Sequence, residues 1–367
     1  MLRSIRTLPL VLGATVALQS GPSHLTTTTR AASYSESEAY RKSVIEAMTK
    51  SEYPIWNDKL PKPTVQVIRY KQLGLTCADP LSSAEFYKKL GFQQQGGKDA
   101  EILRMINSEG LELHLIKSDV PAPDGKNVLM DFPHLKPPGH THASWKVPSV
   151  PGVKKYLEEQ GVPLSGTRST LAVFVRDPDR TTLEFERNDG KDEHQEEFVA
   201  EMIGWGRTLD HVGTRIRAPY ERHLDWYATT FGFTELTKWY VPNVDPMKNF
   251  PPLITRSPSG CEINFIPNCS SKPPAAGEGA EGALTANGKL APGILYVGVE
   301  IEGDWSVAFA KLKANGIDVT TDSEIVSAKK PWGDFPLGTR ALGASGGAPT
   351  LLVRDLNGSL WRLIPTA

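Results

Sequence analysis

Three cysteines in 367 residues, at Cys77, Cys261 and Cys269, are too few and too scattered to build a disulfide framework. They make no CxxC or Cys/His spacing of a zinc site, and they fit a reducing compartment. Neither sign of charge is in excess. Lys and Arg number 41 and Asp and Glu 42, for a formal net charge of −1, so neither nucleic acid nor an anionic membrane surface is an expected partner. Long apolar runs are missing too, and without a stretch of about 18 such residues no membrane-spanning helix is expected. What is left is a globular composition, 39% hydrophobic and 23% charged. The length allows two domains, each with its own core.

The first 33 residues lack acid altogether. They hold Arg3, Arg6 and Arg30 among many Ser and Thr, and the first acidic residue is Glu36. That composition is expected of an organelle transit peptide spanning 1–33, cleaved near "TRAAS" and directing mitochondrial import. The rival is secretion, because "LPLVLGATVAL" reads as a short apolar core behind two arginines. The sequons at Asn268 and Asn357 matter only in that case. A helical extension over 36–63 follows, with Tyr40, Val44, Ala47 and Met48 at helical spacing and Pro61 and Pro63 closing it.

From residue 64 the chain repeats itself. "AEFYKKLGF" (84–92) returns as "LDWYATTFGF" (224–233), "YLEEQGVPL" (156–164) as "KLKANGIDV" (311–319), and "VRDPDRTTLEF" (175–185) as "VRDLNGSLWRL" (353–363). Three echoes in one order mark a duplication. They divide the chain into copies over 64–190 and 207–367, with a charged linker and short helix over 191–206. Each copy has a finer grain, in which a strand, a helix ending in Gly and two or three further strands occur twice. Four such units result. The second copy adds two insertions rich in Gly, Pro or Ala, "NCSSKPPAAGEGAEGALTANGKLAPG" and "AKKPWGDFPLGTRALGASGGAPT". Both read as surface loops, and the second could lie over a cleft.

Successive strand side chains face opposite ways. In "QLGLTC", Leu73, Leu75 and Cys77 oppose Gln72, Gly74 and Thr76. In "LELHLI", Leu111, Leu113 and Leu115 oppose Glu112 and His114. In "HTHASWKV", Ala143, Trp145 and Val147 oppose His140, His142 and Ser144. In "TLEFE", Leu183 and Phe185 oppose Thr182, Glu184 and Glu186. One face of each strand is thus apolar and is expected to pack under the helices, along with Phe86 and Trp226. The other collects an amide, imidazoles and carboxylates from four strands, a set suited to a divalent cation. Alternation alone does not separate His140 from His142.

These motifs resemble the vicinal-oxygen-chelate superfamily, and within it glyoxalase I. The match covers about residues 66–190, with a weaker one over 205–366. It implies an α+β fold of two tandem domains, each of two βαβββ units forming a curved, half-open barrel. "QLGLTCADPLSSAEFY", "LEL" (111–113), "GHTHASWKVPSV" and "VRDPDRTTLEF" fall where that family carries one metal ligand each, which implies Gln72, Glu112, His142 and Glu184. In the second copy His211 and Glu262 stand where Gln72 and Glu112 do, but Tyr296 and Arg362 replace the other two. An arginine in a ligand position repels a cation, so one metal site per chain is expected.

Two pairings of units stay open. Units joined within a copy make the set Gln72, Glu112, His142 and Glu184, which is the preferred reading. Units joined across copies make His211, Glu262, His142 and Glu184. The resemblance further implies a divalent ion, zinc or nickel first and cobalt, manganese or iron after. It makes Glu184 a base that moves a substrate proton, with Glu112 (or Glu262) opposite, and Arg215 and His140 substrate-binding residues. The positions with which glyoxalase I grips glutathione hold Thr76, Ile116 and Pro138 here, so the implied substrate is a small α-hydroxy carbonyl or thiol adduct rather than a glutathione conjugate specifically. A ring-cleaving extradiol-type dioxygenase and a non-enzymatic small-molecule binding protein are the rival functions. A monomer or homodimer is expected.

Overall fold

The computed structural model of the protein describes residues 62–95, 102–121, 139–168, 171–187, 199–203, 209–216, 220–238, 253–266, 290–321 and 350–366. The expected transit peptide, all but the last two residues of the helical extension, and nearly all of both insertions lie outside the described residues. Four βαβββ units follow one another. The first runs β1 (Val67–Cys77), α1 (Pro80–Lys88), β2 (Gln93–Gln95), β3 (Ile102–Ile106) and β4 (Glu112–Lys117). The second runs β5 (Gly139–Val147), α2 (Val150–Glu159), β6 (Leu164–Arg168), β7 (Ala172–Arg176) and β8 (Thr182–Arg187). The third has β9 (His211–Arg215), α3 (Tyr220–Phe231), β10 (Glu235–Lys238), β11 (Leu253–Arg256) and β12 (Glu262–Ile266). The fourth has β13 (Gly293–Ile301), α4 (Trp305–Ala314), β14 (Val319–Thr321), β15 (Leu351–Arg354) and β16 (Leu360–Pro365). Within the 191–206 segment, Ala200–Met202 forms a single 3-10 turn.

Local chemistry sets the helix ends. Asp79, Ser149 and Asp304 cap α1, α2 and α4 by accepting from backbone N–H groups of the first turn. The glycine shared by the echoes, Gly91 after α1 and Gly232 after α3, takes a positive φ of 80° that turns the chain into the next strand.

The strands assemble into two eight-stranded mixed sheets, β14-β15-β16-β13-β1-β4-β3-β2 and β10-β11-β12-β9-β5-β8-β7-β6. β1 lies antiparallel to β13, from Val67 opposite Ile301 to Thr76 opposite Gly293. β5 lies antiparallel to β9, from Gly139 opposite Arg215 to Ser144 opposite His211. The first unit therefore joins the fourth and the second joins the third, which corrects the preferred pairing within each copy. The physical reason is that a backbone ladder does not read side chains. Four opening strands with one alternation pattern are equivalent partners until tertiary packing chooses. Neither sheet closes into a barrel by hydrogen bonds among the described strands.

The apolar strand faces behave as expected. Leu73, Leu75, Leu113, Leu115, Trp145, Val147, Leu183 and Phe185 are buried in one core that draws on all four units. Phe86 and Trp226 pack against it, partly buried. The sequence repeat reappears as a bond between sheets. Tyr87 of α1 donates to Asp177 Oδ2 at 2.9 Å, and its counterpart Tyr227 of α3 donates to Asp355 Oδ2 at 2.6 Å. Each copy thus bridges the two sheets through the Tyr of its first helix and the Asp of its "VRD" motif.

Candidate metal centre

In the second sheet, β5 and β9 run side by side, and each has the last strand of its own unit in parallel on its far side. His211 stands in register with Glu262 across β9 and β12. Ser144 stands in register with both His211 and Glu184, and His142 lies two residues from Ser144. Register partners share a sheet face, so His142, Glu184, His211 and Glu262 come to one face. The pairing across copies is what assembles them.

Three of the four converge tightly. His142 Nε2 lies 3.2 Å from His211 Nε2, His211 Nε2 lies 3.2 Å from Glu184 Oε2, and His142 Nε2 lies 3.4 Å from the same oxygen. All three residues are buried, and their donor atoms form a group able to hold a metal ion. The centre of the triangle lies about 1.9 Å from each corner, close to the ~2.0–2.2 Å bonds of a divalent ion to imidazole and carboxylate. Two neutral-capable nitrogens and one carboxylate suit zinc, nickel, cobalt, manganese or iron. The donor set fits the ion that the resemblance implies.

The rings are held from behind. The His142 ring lies across Gly213, where an added Cβ would fall 2.1 Å from Cε1 and Nδ1. Its Nδ1 lies 3.2 Å from Thr141 Oγ1. His211 Nδ1 lies 3.1 Å from Oδ2 of the fully buried Asp210. Such a carboxylate–histidine pair leaves Nε2 aimed at the ligand point. Lys146 Nζ in turn contacts Asp210 at 3.5 Å and Glu186 at 3.0 Å, so the supporting acids are themselves compensated.

Electrostatics separates the two imidazoles. Burial pulls His142 down to about 4, a fall that Glu184 opposes and His211 and Arg215 reinforce. Burial acts the same way on His211, but the hydrogen bonds and charges of Asp210 and Glu184 outweigh it and raise that imidazole to about 10. Burial, followed by Glu184 and Asp210, also raises Glu186, against His211 and Lys146.

Glu262 completes the sheet face but not the triangle. Its Oε1 accepts from Arg256 Nε at 2.7 Å and also from Arg256 Nη2. Gln72 and Glu112, the preferred partners of His142, lie instead in the other sheet. There Gln72 Nε2 donates to Glu112 Oε2 at 3.0 Å. His140 also departs from expectation. A register shift between His140 and His142 sets them opposite Thr214 and Gly213 respectively, and such a bulge breaks alternation. His140 contacts Thr214 Oγ1 at 3.1 Å and the Leu360 carbonyl of the other sheet at 3.0 Å, with its ring edge-on to Trp361. Both of its nitrogens have partners within the protein, and the second of these ties the two sheets together. Arg215 is fully buried and its charge bears on His142, which keeps it beside the cluster.

Asp210, Gly213, Lys146 and Arg256 contact the residues of this face, and strand alternation did not single them out. Asp210 precedes the first strand residue. Gly213 is marked only by its spacing in "DHVG", which matches "QLG" at 72–74.

No family model and no curated protein matches the chain. Among solved structures, a candidate dioxygenase from Bacillus subtilis aligns over 82% of this chain and 86% of its own, at 13% identity and a TM-score of 0.50. Glyoxalase I from Zea mays aligns over 81% and 92%, at 13% identity and a TM-score of 0.48. At such identities the likeness is one of fold. The chain has the vicinal-oxygen-chelate fold, with a buried His/Glu/His group placed to hold a metal ion.

Proposed function

We propose that the chain is a metal-dependent lyase or isomerase of glyoxalase type, acting on a small α-hydroxy carbonyl or thiol-adduct substrate. The observation that carries this is the triangle of His142, His211 and Glu184 with a second carboxylate, Glu262, on the same face. A bound divalent ion would supply Lewis acidity to the two adjacent oxygens of the substrate. The chain's residues do the rest. The carbon proton passes to one carboxylate and returns to the neighbouring carbon, so the net reaction is redox-neutral. Glu184 and Glu262 are the two candidates, and Glu262 replaces Glu112 as the counterpart. Arg256 has to release Glu262 Oε1 before that oxygen accepts a proton, and its side chain is 39% exposed to solvent. The buried guanidinium of Arg215 offers charge for an anionic part of the substrate.

The test is deuterium uptake from solvent into the α-carbon of a 2-oxoaldehyde–thiol hemiacetal, with the protein loaded in turn with zinc and nickel. Exchange that Glu262→Gln and Glu184→Gln abolish supports the proposal. No exchange with any of these ions would sink it. One observation favours a second reading. Two histidines and one carboxylate converge while Glu262 is drawn off by Arg256, the donor set of non-haem iron oxygenases. Iron in the isolated protein, together with ring cleavage of a catechol, would put that reading first. Mitochondrial location remains a proposal resting on the composition of residues 1–33.

A further inference from the structure

The first sheet repeats the frame of the metal centre with other chemistry. In place of His211, Glu262, His142 and Glu184 it has Gln72, Glu112, Tyr296 and Arg362, on β1, β4, β13 and β16. They form one hydrogen-bonded chain. Arg362 Nη1 donates to Tyr296 Oη at 3.5 Å. Tyr296 Oη lies 2.5 Å from His114 Nδ1, and His114 Nε2 lies 3.3 Å from Glu112 Oε2. Gln72 Nε2 donates to the same oxygen. The Tyr296 ring lies over Gly74, where an added Cβ would meet it at 2.2 Å, as His142 lies over Gly213.

Among the described residues, Gln72 Oε1 and Arg104 Nη2 are buried on this face with no hydrogen-bond partner. Arg104 on β3 is in register with His114, so both sit on the same face. Gln72 is 94% buried, being 6% exposed, and its amide cannot be turned over, because its nitrogen must face the acceptor Glu112. Burial lowers the His114 imidazole first, and the Arg362 and Arg104 charges add to that against Glu112. Both guanidinium groups thus act at one place. A buried donor and a buried acceptor left unpaired are each costly, and a ligand that pairs both recovers that cost.

We propose that this sheet carries a second, metal-free site for a small hydroxycarboxylate, whose carboxylate accepts from Arg104 and whose hydroxyl donates to Gln72 Oε1. Arg362, fully buried at a position equivalent to a metal ligand, sets the sign of the site against cations. No metal-type cluster occurs in this sheet among the described residues. Entry is from the β3–β4 side, where the Glu112 side chain is 30% exposed.

Calorimetric titration of the full chain with glycolate tests this, with acetate and inorganic phosphate as probes of the two halves. Each titration is done with a chelator present and again with saturating zinc. Glycolate is expected to bind under both conditions, at least about tenfold tighter than acetate or phosphate, because only it pairs donor and acceptor together. Arg104→Lys, which keeps the charge but loses the planar fork, is expected to weaken it about tenfold, and Gln72→Met to level glycolate with acetate. With the chelator present, His142→Ala, in the other sheet, is expected to leave it unchanged. Thermal melts verify that each variant is folded. No binding up to ~50 mM, binding that needs zinc or His142, or equal binding of phosphate would each overturn the proposal.

Discussion

Gly213→Ala is the smallest change that addresses the metal centre directly. The new methyl would fall 2.1 Å from Nδ1 and Cε1 of His142 and 2.6 Å from Thr141 Oγ1. Ordinary contact begins near ~3.4 Å, so the ring has to retreat by more than about 1 Å. Metal–ligand distances tolerate only about ±0.2 Å, so His142 Nε2 cannot keep its corner of the triangle. Losing an outer-shell partner of a ligand already costs about 10–100-fold in affinity, and losing the ligand should cost at least as much, about 1.4–2.7 kcal/mol. The assay is zinc competition against a chromophoric chelator, for the natural chain, Gly213→Ala and a control, Gly166→Ala. A Cβ at Gly166 meets nothing closer than Phe174 Cδ2 at 3.7 Å, so the control should bind as the natural chain does. A folded Gly213→Ala protein with unchanged zinc affinity would refute the placement of His142 over Gly213 and its role as a ligand.

The other predictions concern unit pairing, ligand support and pH. Elemental analysis should find about one divalent ion per chain in the Glu112→Gln variant and much less in Glu184→Gln and His211→Ala; the reverse for Glu112 and His211 would restore pairing within a copy. Asp210→Ala should lower zinc affinity about 10–100-fold by freeing the His211 tautomer, and an unchanged affinity would remove Asp210 from the site. Asp177 is pushed up to about 7 by burial and then by Asp179, against the bonds from Tyr87 and Thr181. A carboxyl raised in the folded state binds its proton more tightly there than in the unfolded chain. Its contribution is complete below about pH 4 and is lost as pH rises to about 7, at ~1.4 kcal/mol per pH unit. Urea unfolding at several pH values should therefore show a shallower decline for Asp177→Asn over that window, and equal slopes would contradict it.

Much of the fold is visible in the primary structure because its cause is local. The echoes around Tyr87 and Tyr227, and around Asp177 and Asp355, mark units whose helices end at glycines that must take positive φ. Alternation sorted Leu73, Trp145, Leu183 and Phe185 to the core for the same reason, since a strand shows one face to each side. Alternation failed at His140, where one irregularity in the β5–β9 ladder rotates a side chain out of phase. That depends on the partner strand, which local sequence does not contain.

The sequence by itself determined the four units and their apolar faces, and it proposed His142 and Glu184 under either pairing. It left two complete ligand sets, because β1 and β9 carry equivalent donors and the same glycine two residues on. Only the tertiary structure decided between them, by placing β9 rather than β1 against β5. Backbone hydrogen bonds are indifferent to that choice. The packing of two sheets around one shared core makes it, and with it brings His211 to His142 and leaves Gln72 bonded to Glu112 in the other sheet.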